Sequence, residues 1–227
     1  MREETIVIEN AAASIVATAR YDLFPVLVHV SDLENDPALN ARLVEFARTN
    51  PHHNSSTSGC NLLDEPYPWA GRLRAIFIAG ISTYLQQADP EGHLGRNVMM
   101  HVFFNHTANS AFTPVHNHLY DAHLVGIYYA KTPDADRAIA AADDYYALPP
   151  GTLVLCNHVP DGGDFDRRGP HTRPYFKIAA KPNRLIVHPA TLNHFVTPTV
   201  QEERLAVTCN YVLSGHSYSG NYRSASW

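Results

Sequence analysis

The segment Thr113–Tyr129, with the sequence TPVHNHLYDAHLVGIYY, joins a cluster of polar side chains to a run of strand-forming residues. His116, His118 and Asp121 come shortly before the apolar run Leu124–Tyr129. Aliphatic and aromatic residues of this kind favour a strand, so the polar groups are expected at its mouth. Imidazole and carboxylate groups are common protein ligands of transition metals. The segment therefore predicts a β-sheet that carries half of a metal site at one end.

Other strand-like runs, separated by Pro, Gly and Asn, fill the chain from residue 97 onward. Together with the run just described, they are Val98–Phe104, Ala122–Ala130, Thr152–Cys156, Tyr175–Ala180, Arg184–His188, His194–Thr197 and Arg204–Leu213. Two helices precede them: Asp36 and Pro37 offer the N-cap and first-turn proline of one, and Trp69–Leu85 carries the apolar stripe of the other. This order predicts an α+β protein with an antiparallel sandwich, barrel or jelly-roll core backed by N-terminal helices. We expect a single domain over residues 1–227, helical over about 1–96 and jelly-roll over about 97–215.

Composition narrows the classes of partner. The 227 residues carry 17 Lys and Arg against 22 Asp and Glu, a net charge of −5, and no basic run, which argues against nucleic acid or an anionic membrane as the main partner. No apolar run reaches the length of a membrane span, and the three cysteines are far apart, as in proteins of a reducing cytosol. The composition thus predicts a cytoplasmic protein, and its 14 histidines direct attention to metal or acid–base chemistry.

A second polar element lies far downstream of the first. His194 follows the apolar run Leu185–Val187, and Arg204, ten residues later, opens the apolar run Leu205–Tyr211. An arginine at the head of an apolar strand needs a buried partner. The order of an early histidine near a carboxylate, a late histidine and then an arginine is expected of a two-histidine, one-carboxylate metal face with a bound dicarboxylate.

These segments resemble three sequence blocks of a family of Fe(II)/2-oxoglutarate-dependent oxygenases from bacteria and phages, whose pattern reads HxHPxxxLSGVYY, then FPSWLxHxVxP, then RISISFN. Residues 116–129 are similar to the first block, 187–198 to the second and 204–210 to the third. Residues 23–26 and 38–43 also resemble the N-terminal helix region of the family, so the similarity spans most of the chain. The resemblance implies a double-stranded β-helix that uses Fe(II) as its cofactor and 2-oxoglutarate as its co-substrate.

The resemblance also implies a set of site residues. His118, Asp121 and His194 would bind the iron, and Arg204 would pair with the far carboxylate of 2-oxoglutarate. The usual H-x-D spacing of the family is one residue longer here, and this departure leaves His116 as an alternative first ligand.

Further contacts are expected around the co-substrate and the substrate. Ala206 stands where the family often has a serine, so a hydroxyl for the oxo acid must come from Thr208, and Tyr128 is a second candidate. Arg167 and Arg168 lie in a glycine-containing loop and are candidates for contact with an anionic substrate.

The function implied is oxidation of an unactivated C–H bond, by hydroxylation, cyclisation or desaturation, in a small-molecule or amino-acid-like substrate. The reaction would consume O₂ and 2-oxoglutarate and release succinate and CO₂. Two alternatives remain open at this stage. One is a cupin-like metal-dependent isomerase or hydrolase without 2-oxoglutarate, and the other is a non-catalytic binding module on the same scaffold. The sequence names neither the substrate nor the oligomeric state.

Overall fold

A computed structural model of the protein describes residues 3–4, 18–19, 26–94, 97–108, 111–133, 149–156, 175–199, 202–213 and 222–226. Within these ranges the chain forms helices α1 (Pro37–Thr49) and α2 (Pro68–Ala88). Three short 3-10 turns cover Pro51–His53, Ser56–Ser58 and Leu62–Asp64. The strands are β1 (Glu3–Glu4), β2 (Thr18–Ala19), β3 (His29–Asp32), β4 (Asn97–Thr107), β5 (Thr113–His116), β6 (Leu124–Lys131), β7 (Leu153–Cys156), β8 (Tyr175–Ile178), β9 (Arg184–Pro189), β10 (His194–Val196), β11 (Arg204–Leu213) and β12 (Arg223–Ser226). No described helix is both long enough and apolar enough to cross a lipid bilayer.

The strands form two main antiparallel sheets. The larger sheet has the order β12-β4-β11-β6-β9-β3, and the smaller has the order β5-β10-β7-β8. Strands β1 and β2 pair only with each other in the part of the chain that the structure describes. The expected class, antiparallel sheets with a few N-terminal helices, is therefore present.

Both predicted helices are confirmed, and their ends follow from local chemistry. The side chain of Asp36 accepts a hydrogen bond from the backbone N–H of Leu39 at 3.0 Å, and Pro37 occupies the first turn of α1. An Asp at the N-cap satisfies one of the amide groups that the first helical turn leaves without a partner. Helix α2 contains the predicted apolar stripe Trp69–Leu85 and extends to Ala88.

The seven predicted strands all occur with small shifts at their ends, whereas β3, β5 and β12 were not predicted. Each of these three strands is four residues long and lies at an edge of its sheet. Edge strands are paired on one side only and need no apolar run. Pro114 within β5 fits this position, because an edge strand tolerates the missing N–H.

The pleat of β6 divides its side chains between two cores. Leu124 and Tyr128 belong to the core on the helix side of the large sheet, which also contains Phe77 of α2. Val125 and Tyr129 belong to the second core, together with Leu155 and Val196 of the small sheet. Successive side chains of a strand point to opposite faces, so one residue of offset decides which core a side chain enters.

Gly126 allows the large sheet and α2 to approach closely. The buried Tyr211 donates a hydrogen bond from its hydroxyl to the carbonyl oxygen of Phe77 at 2.9 Å. A Cβ atom at position 126 would lie 2.7 Å from that hydroxyl oxygen and 2.8 Å from the ring atom Cε2 of Tyr211. A side chain at this position would therefore displace a ring that is fixed on its other side by the helix.

We expect Gly126→Ala to lower the free energy of unfolding by about 1–3 kcal/mol, because the added methyl group overpacks the core. Gly71→Ala is the matched control, since Gly71 is exposed on α2 and an added Cβ meets nothing within 4 Å. That control should be neutral or stabilising by up to about 1 kcal/mol through helix propensity. Urea unfolding of both variants measures the difference, and equal stabilities would contradict this packing account.

Candidate metal centre

Three histidines meet where β5 and β10 pair at one end of the small sheet. His116, the last residue of β5, and His194, the first residue of β10, are directly opposite each other in the strand register. His118 lies two residues beyond β5, and its backbone N–H donates to the carbonyl oxygen of Ala190 at 2.9 Å. One ligand atom from each of these histidines lies within 4.8 Å of the others. The pairing of β5 with β10 therefore brings His116 to His194, and a backbone hydrogen bond holds His118 beside them.

Hydrogen bonds to the backbone orient two of the three rings. Nδ1 of His194 lies 2.9 Å from the carbonyl oxygen of Leu192, and Nδ1 of His116 lies 2.8 Å from that of Pro114. A carbonyl oxygen only accepts, so Nδ1 carries the hydrogen in both rings and Nε2 keeps its lone pair. Metal-binding histidines commonly donate their other N–H to an outer acceptor in this way.

Burial keeps the imidazoles of His118 and His194 neutral. It lowers the pKa of His118 to about 4 and that of His194 to about 2, because a charged imidazolium inside the protein would lose its hydration. Neutral imidazole is the form that binds metal ions. The donor set therefore fits a divalent first-row transition metal.

The carboxylate expected in this site lies elsewhere. Asp121 is exposed, and its carboxylate does not belong to the histidine group. Its backbone N–H donates to the carbonyl oxygen of His118 at 2.9 Å, so Asp121 closes a turn at the entry to β6. The structure thus brings His116 to His118 and His194 where the sequence interpretation favoured Asp121. The sequence carried a signal for this arrangement, because His116 and His118 are two residues apart and such side chains point to the same face of an extended segment.

Arg204 is buried in the same region without a carboxylate partner. The residue is 1% exposed, and its Nη1 donates a hydrogen bond to Oδ1 of Asn105 at 3.0 Å. The guanidinium carbon lies 5.2 Å from the centre of the Tyr129 ring, and Nε has no hydrogen-bond partner. Among the described residues no Asp or Glu forms an ion pair with Arg204. A buried guanidinium in this state can form charge-assisted hydrogen bonds with an anion.

The neighbouring carboxylate, Glu203, is already paired with other cations. Its oxygens contact Nη2 of Arg48, Nζ of Lys131 at 2.6 Å and Nε2 of His106 at 2.8 Å. The hydrogen bond from Arg48, together with those from Lys131 and His106, lowers the pKa of Glu203 to about 2. Glu203 therefore stays charged and bound on the outside of the strand end, which leaves Arg204 for a ligand.

One pocket of about 300 Å³ contains both the imidazoles and the arginine. Thr208, the predicted hydroxyl donor, lines the same pocket, because it lies four residues beyond Arg204 on the same face of β11. The remaining walls include apolar and polar side chains from both sheets and a rim on the turn that follows α1; among them are Asn54, Ser55, Ser56, Phe103, Asn105, Phe112, Pro114, Ile127, Leu153 and Val196.

Tyr128 was expected to contact the oxo acid, and the structure corrects this expectation. Its hydroxyl donates to Oδ1 of Asn40 at 2.8 Å and lies 3.0 Å from Oδ1 of Asn183, on the helix side of the sheet. The alternation along β6 instead directs Tyr129 into the space between the sheets, beside Arg204. The other two predicted contacts, Arg167 and Arg168, lie outside the described residues.

A fourth histidine, His188, lies against this group. It is fully buried, and its ring centre is 4.9 Å from that of His194. Nδ1 lies 2.9 Å from the carbonyl oxygen of Pro189, whereas Nε2 has no partner. Burial lowers the pKa of His188 to about 4. The alternation of β9 directs His188 towards this site, because its strand partner on β6 is Val125, which belongs to the core between the sheets.

No family model and no curated protein matches the sequence. Among solved structures, the chain is similar to the non-heme alpha ketoglutarate dependent epimerase SnoN from nogalamycin biosynthesis, with a TM-score of 0.53 and 16% identity over 86% of this chain and 85% of that one. It is also similar to a Pseudomonas putida prolyl-4-hydroxylase (TM-score 0.51, 14% identity, 83% and 88% covered) and to AviO1 from Streptomyces viridochromogenes (0.52, 13%, 85% and 92%). SnoN has also been solved with Fe3+, alpha ketoglutarate and nogalamycin RO. At these identities the likeness shows a shared fold.

The imidazole geometry predicts which residues bind a metal ion. We expect His116→Ala to weaken Ni²⁺ binding at this site at least ten-fold, because one of three ligand nitrogens is lost, whereas Asp121→Ala should leave the affinity within two-fold. Isothermal titration of the metal-free variants measures both. His93→Ala, which removes an exposed histidine, is the control. If Asp121→Ala weakened binding as much as His194→Ala and His116→Ala had no effect, the three-histidine assignment would be wrong.

Proposed function

We propose that the protein is an Fe(II)- and 2-oxoglutarate-dependent oxygenase, built as a single domain with a double-stranded β-helix core. The observation that carries the proposal is the buried guanidinium of Arg204, which no described carboxylate pairs with, in the same pocket as three imidazoles. A metal ion and an anion that spans from it to an arginine would satisfy both groups. The fold shared with SnoN, a protein described as alpha ketoglutarate dependent, supports the same ligand pair.

In this proposal His116, His118 and His194 hold the metal from one side. Three protein ligands on one face leave the opposite coordination positions open. Bound Fe(II) would supply the O₂ chemistry that converts 2-oxoglutarate to succinate and CO₂ and oxidises an unactivated C–H bond of the substrate. The residues of the chain position the reactants: the hydrogen bonds from Nδ1 to Leu192 and Pro114 keep two rings turned towards the metal.

Arg204 provides the second anchor for the co-substrate. A guanidinium offers two parallel N–H donors to a carboxylate, and these bonds are strong where water is excluded. Asn105 holds Nη1 of Arg204, and the face of Tyr129 supports the guanidinium plane. Nε, which has no partner within the described structure, remains available to the ligand. The hydroxyl of Thr208 lies in the same pocket and offers a further donor.

The charge of the site suits a dianion. Three neutral imidazoles leave the two positive charges of a divalent ion uncompensated, and Arg204 adds a third positive charge. Asp121, which would have reduced this charge, is not in the group. A 2-oxo dicarboxylate therefore brings two negative charges to a pocket whose described walls supply positive ones.

In this proposal the metal ion and 2-oxoglutarate occupy the inner part of the pocket, so the substrate would bind in its outer part. The rim formed by Asn54, Ser55 and Ser56 and the exposed Phe112 offers both polar and apolar contacts. A small or amino-acid-like molecule, or one side chain of a larger substrate, fits this description. Hydroxylation, cyclisation and desaturation would use the same placement of a C–H bond beside the metal.

One observation favours a second candidate function. A metal site of three histidines, to which no described Asp or Glu contributes, also fits a cupin-like isomerase or hydrolase that uses no oxo acid. That function gives no role to a buried arginine, so Arg204 distinguishes the two. A non-catalytic binding module would need neither the free Nε2 lone pairs of His116 and His194 nor an anion at Arg204.

We expect Arg204→Met to weaken 2-oxoglutarate binding to the metal-loaded protein. Losing one partner of a desolvated charge pair costs about 2–5 kcal/mol, on the order of 30- to several-thousand-fold in affinity. The affinity of Arg204→Lys for 2-oxoglutarate should lie between those of the wild type and Arg204→Met, since an ammonium lacks the two-pronged geometry of a guanidinium. Anaerobic titration of 2-oxoglutarate into Fe(II)-loaded protein measures this, with Arg223→Ala, which breaks a half-exposed ion pair with Asp64, as the control.

The same variants show whether Arg204 binds the co-substrate or only stabilises the fold. Without ligand, Arg204→Met should be as stable as the wild type or more stable, because an apolar side chain replaces a buried charge for which the described residues provide no counter-ion. Metal affinity should change little. Equal 2-oxoglutarate affinities in wild type and Arg204→Met would contradict the proposed function and favour the cupin-like alternative.

A further inference from the structure

A second group of metal-ligating side chains lies outside the site already described. His52, His53 and Cys60 each offer one ligand atom, and these atoms lie within 4.8 Å of one another. His52 and His53 are in the 3-10 turn that follows α1, and Cys60 comes two residues after the next turn, Ser56–Ser58. The sequence spacing does not resemble a zinc motif, so only the folded chain brings these three residues together.

His53 carries the strongest indication of a ligand. Its side chain is 5% exposed, and Nε2 lies 3.1 Å from Oε1 of Glu65. The carboxylate accepts a hydrogen from Nε2, which leaves the lone pair on Nδ1, and Nδ1 is buried with no hydrogen-bond partner among the described residues. Buried polar atoms without partners are rare in folded proteins. A carboxylate that fixes the tautomer of a histidine, with the opposite nitrogen left free, is the outer arrangement found around metal ions.

The other two ligands are held close to His53 by the local structure. The ring centre of His52 is 4.4 Å from that of His53, and His52 is exposed. Gly59 adopts a left-handed φ of 75°, which ends the second turn and leads the chain to Cys60. The carbonyl oxygen of Cys60 accepts a hydrogen bond from Nε2 of His101 at 2.9 Å, and its N–H donates to Oγ of Ser58 at 3.2 Å. The position of Cys60 is therefore fixed from both sides.

We propose that His52, His53 and Cys60 form a binding site for a zinc-type divalent ion. Two imidazoles and one thiolate are a donor set that Zn²⁺ takes, and the exposure of His52 leaves a further position open to water. On binding, the Cys60 thiol loses its proton to solvent and the sulfur donates an electron pair to the ion; no redox change occurs. This site shares no residue with the group around His194, so it does not depend on the proposed function.

An ion at this site would affect the pocket that contains Arg204, because the two sites share a segment of the chain. Asn54, Ser55 and Ser56, which lie between the ligands in sequence, line the rim of that pocket. Asn54 already anchors the segment to β4, where its Nδ2 donates to the carbonyl oxygen of His106 at 3.1 Å. An ion bridging residues 52, 53 and 60 would fix both ends of the rim segment.

Titration with Co²⁺ under anaerobic, reducing conditions tests the site in the full-length chain. Thiolate bound to Co²⁺ gives an intense near-ultraviolet charge-transfer band that imidazole ligands alone do not give. We expect this band in the wild type and also in His194→Ala, which disrupts the main centre. Cys60→Ser should abolish it, and the matched control Cys156→Ser, which removes another half-buried cysteine, should retain it. Addition of one equivalent of Zn²⁺ should bleach it, since Zn²⁺ binds such sites more tightly than Co²⁺.

Two further variants test the role of the histidine. His53→Gln should weaken Co²⁺ binding at this site at least ten-fold, and Glu65→Ala, which leaves all three ligands in place, should weaken it by about 10- to 100-fold with the band retained. No band in the wild type at saturating Co²⁺, or an unchanged band in Cys60→Ser, would overturn the proposal. Neither result would bear on the three-histidine centre.

Discussion

The buried positive charge of Arg204 is the constraint around which the rest of the site is arranged. A guanidinium out of contact with water is unfavourable unless an anion or several acceptors surround it. Here one amide oxygen, from Asn105, and one aromatic face, from Tyr129, meet it within the described structure. The carboxylate beside it in the chain, Glu203, is bound to Arg48, Lys131 and His106 instead. The folded chain therefore presents a buried cation to this pocket, and a metal ion on the neighbouring imidazoles would add to the same positive field.

The two sheets make this arrangement rigid. Arg204 and Thr208 project from one face of β11, whose other face packs against the helices through Tyr211. The histidines lie across the pocket at the end of the small sheet, where the pairing of β5 with β10 sets His116 opposite His194. Because each group stands on a strand or directly beside one, the pocket is formed before a ligand arrives. Preorganised donors of this kind bind without the free-energy cost of ordering them.

Much of this could be predicted from the sequence, and the errors have physical causes. The placement of Thr208 on the same face as Arg204 follows from strand periodicity, because the two residues are four apart on β11. The same periodicity assigns Tyr129, and not Tyr128, to the core between the sheets beside Arg204, since a single residue of offset exchanges the two faces. Asp121 was expected among the metal ligands because the resemblance implies a carboxylate shortly after the first histidine, yet the turn after His118 leaves its side chain exposed. The meeting of His53 with Cys60 depends on two 3-10 turns and a left-handed glycine, which have no periodic signature in sequence.

The central claim is that the imidazole group and Arg204 form one site for a metal ion and a 2-oxo dicarboxylate. The most direct measurement is the visible absorption of anaerobic protein to which Fe(II) and then 2-oxoglutarate are added. Chelation of iron by the 2-oxo acid group gives a weak metal-to-ligand charge-transfer band. We expect the band only when the protein and both additions are present, and we expect it to saturate at one equivalent of each. Stoichiometric uptake of Fe(II) with no band at saturating 2-oxoglutarate would contradict the account.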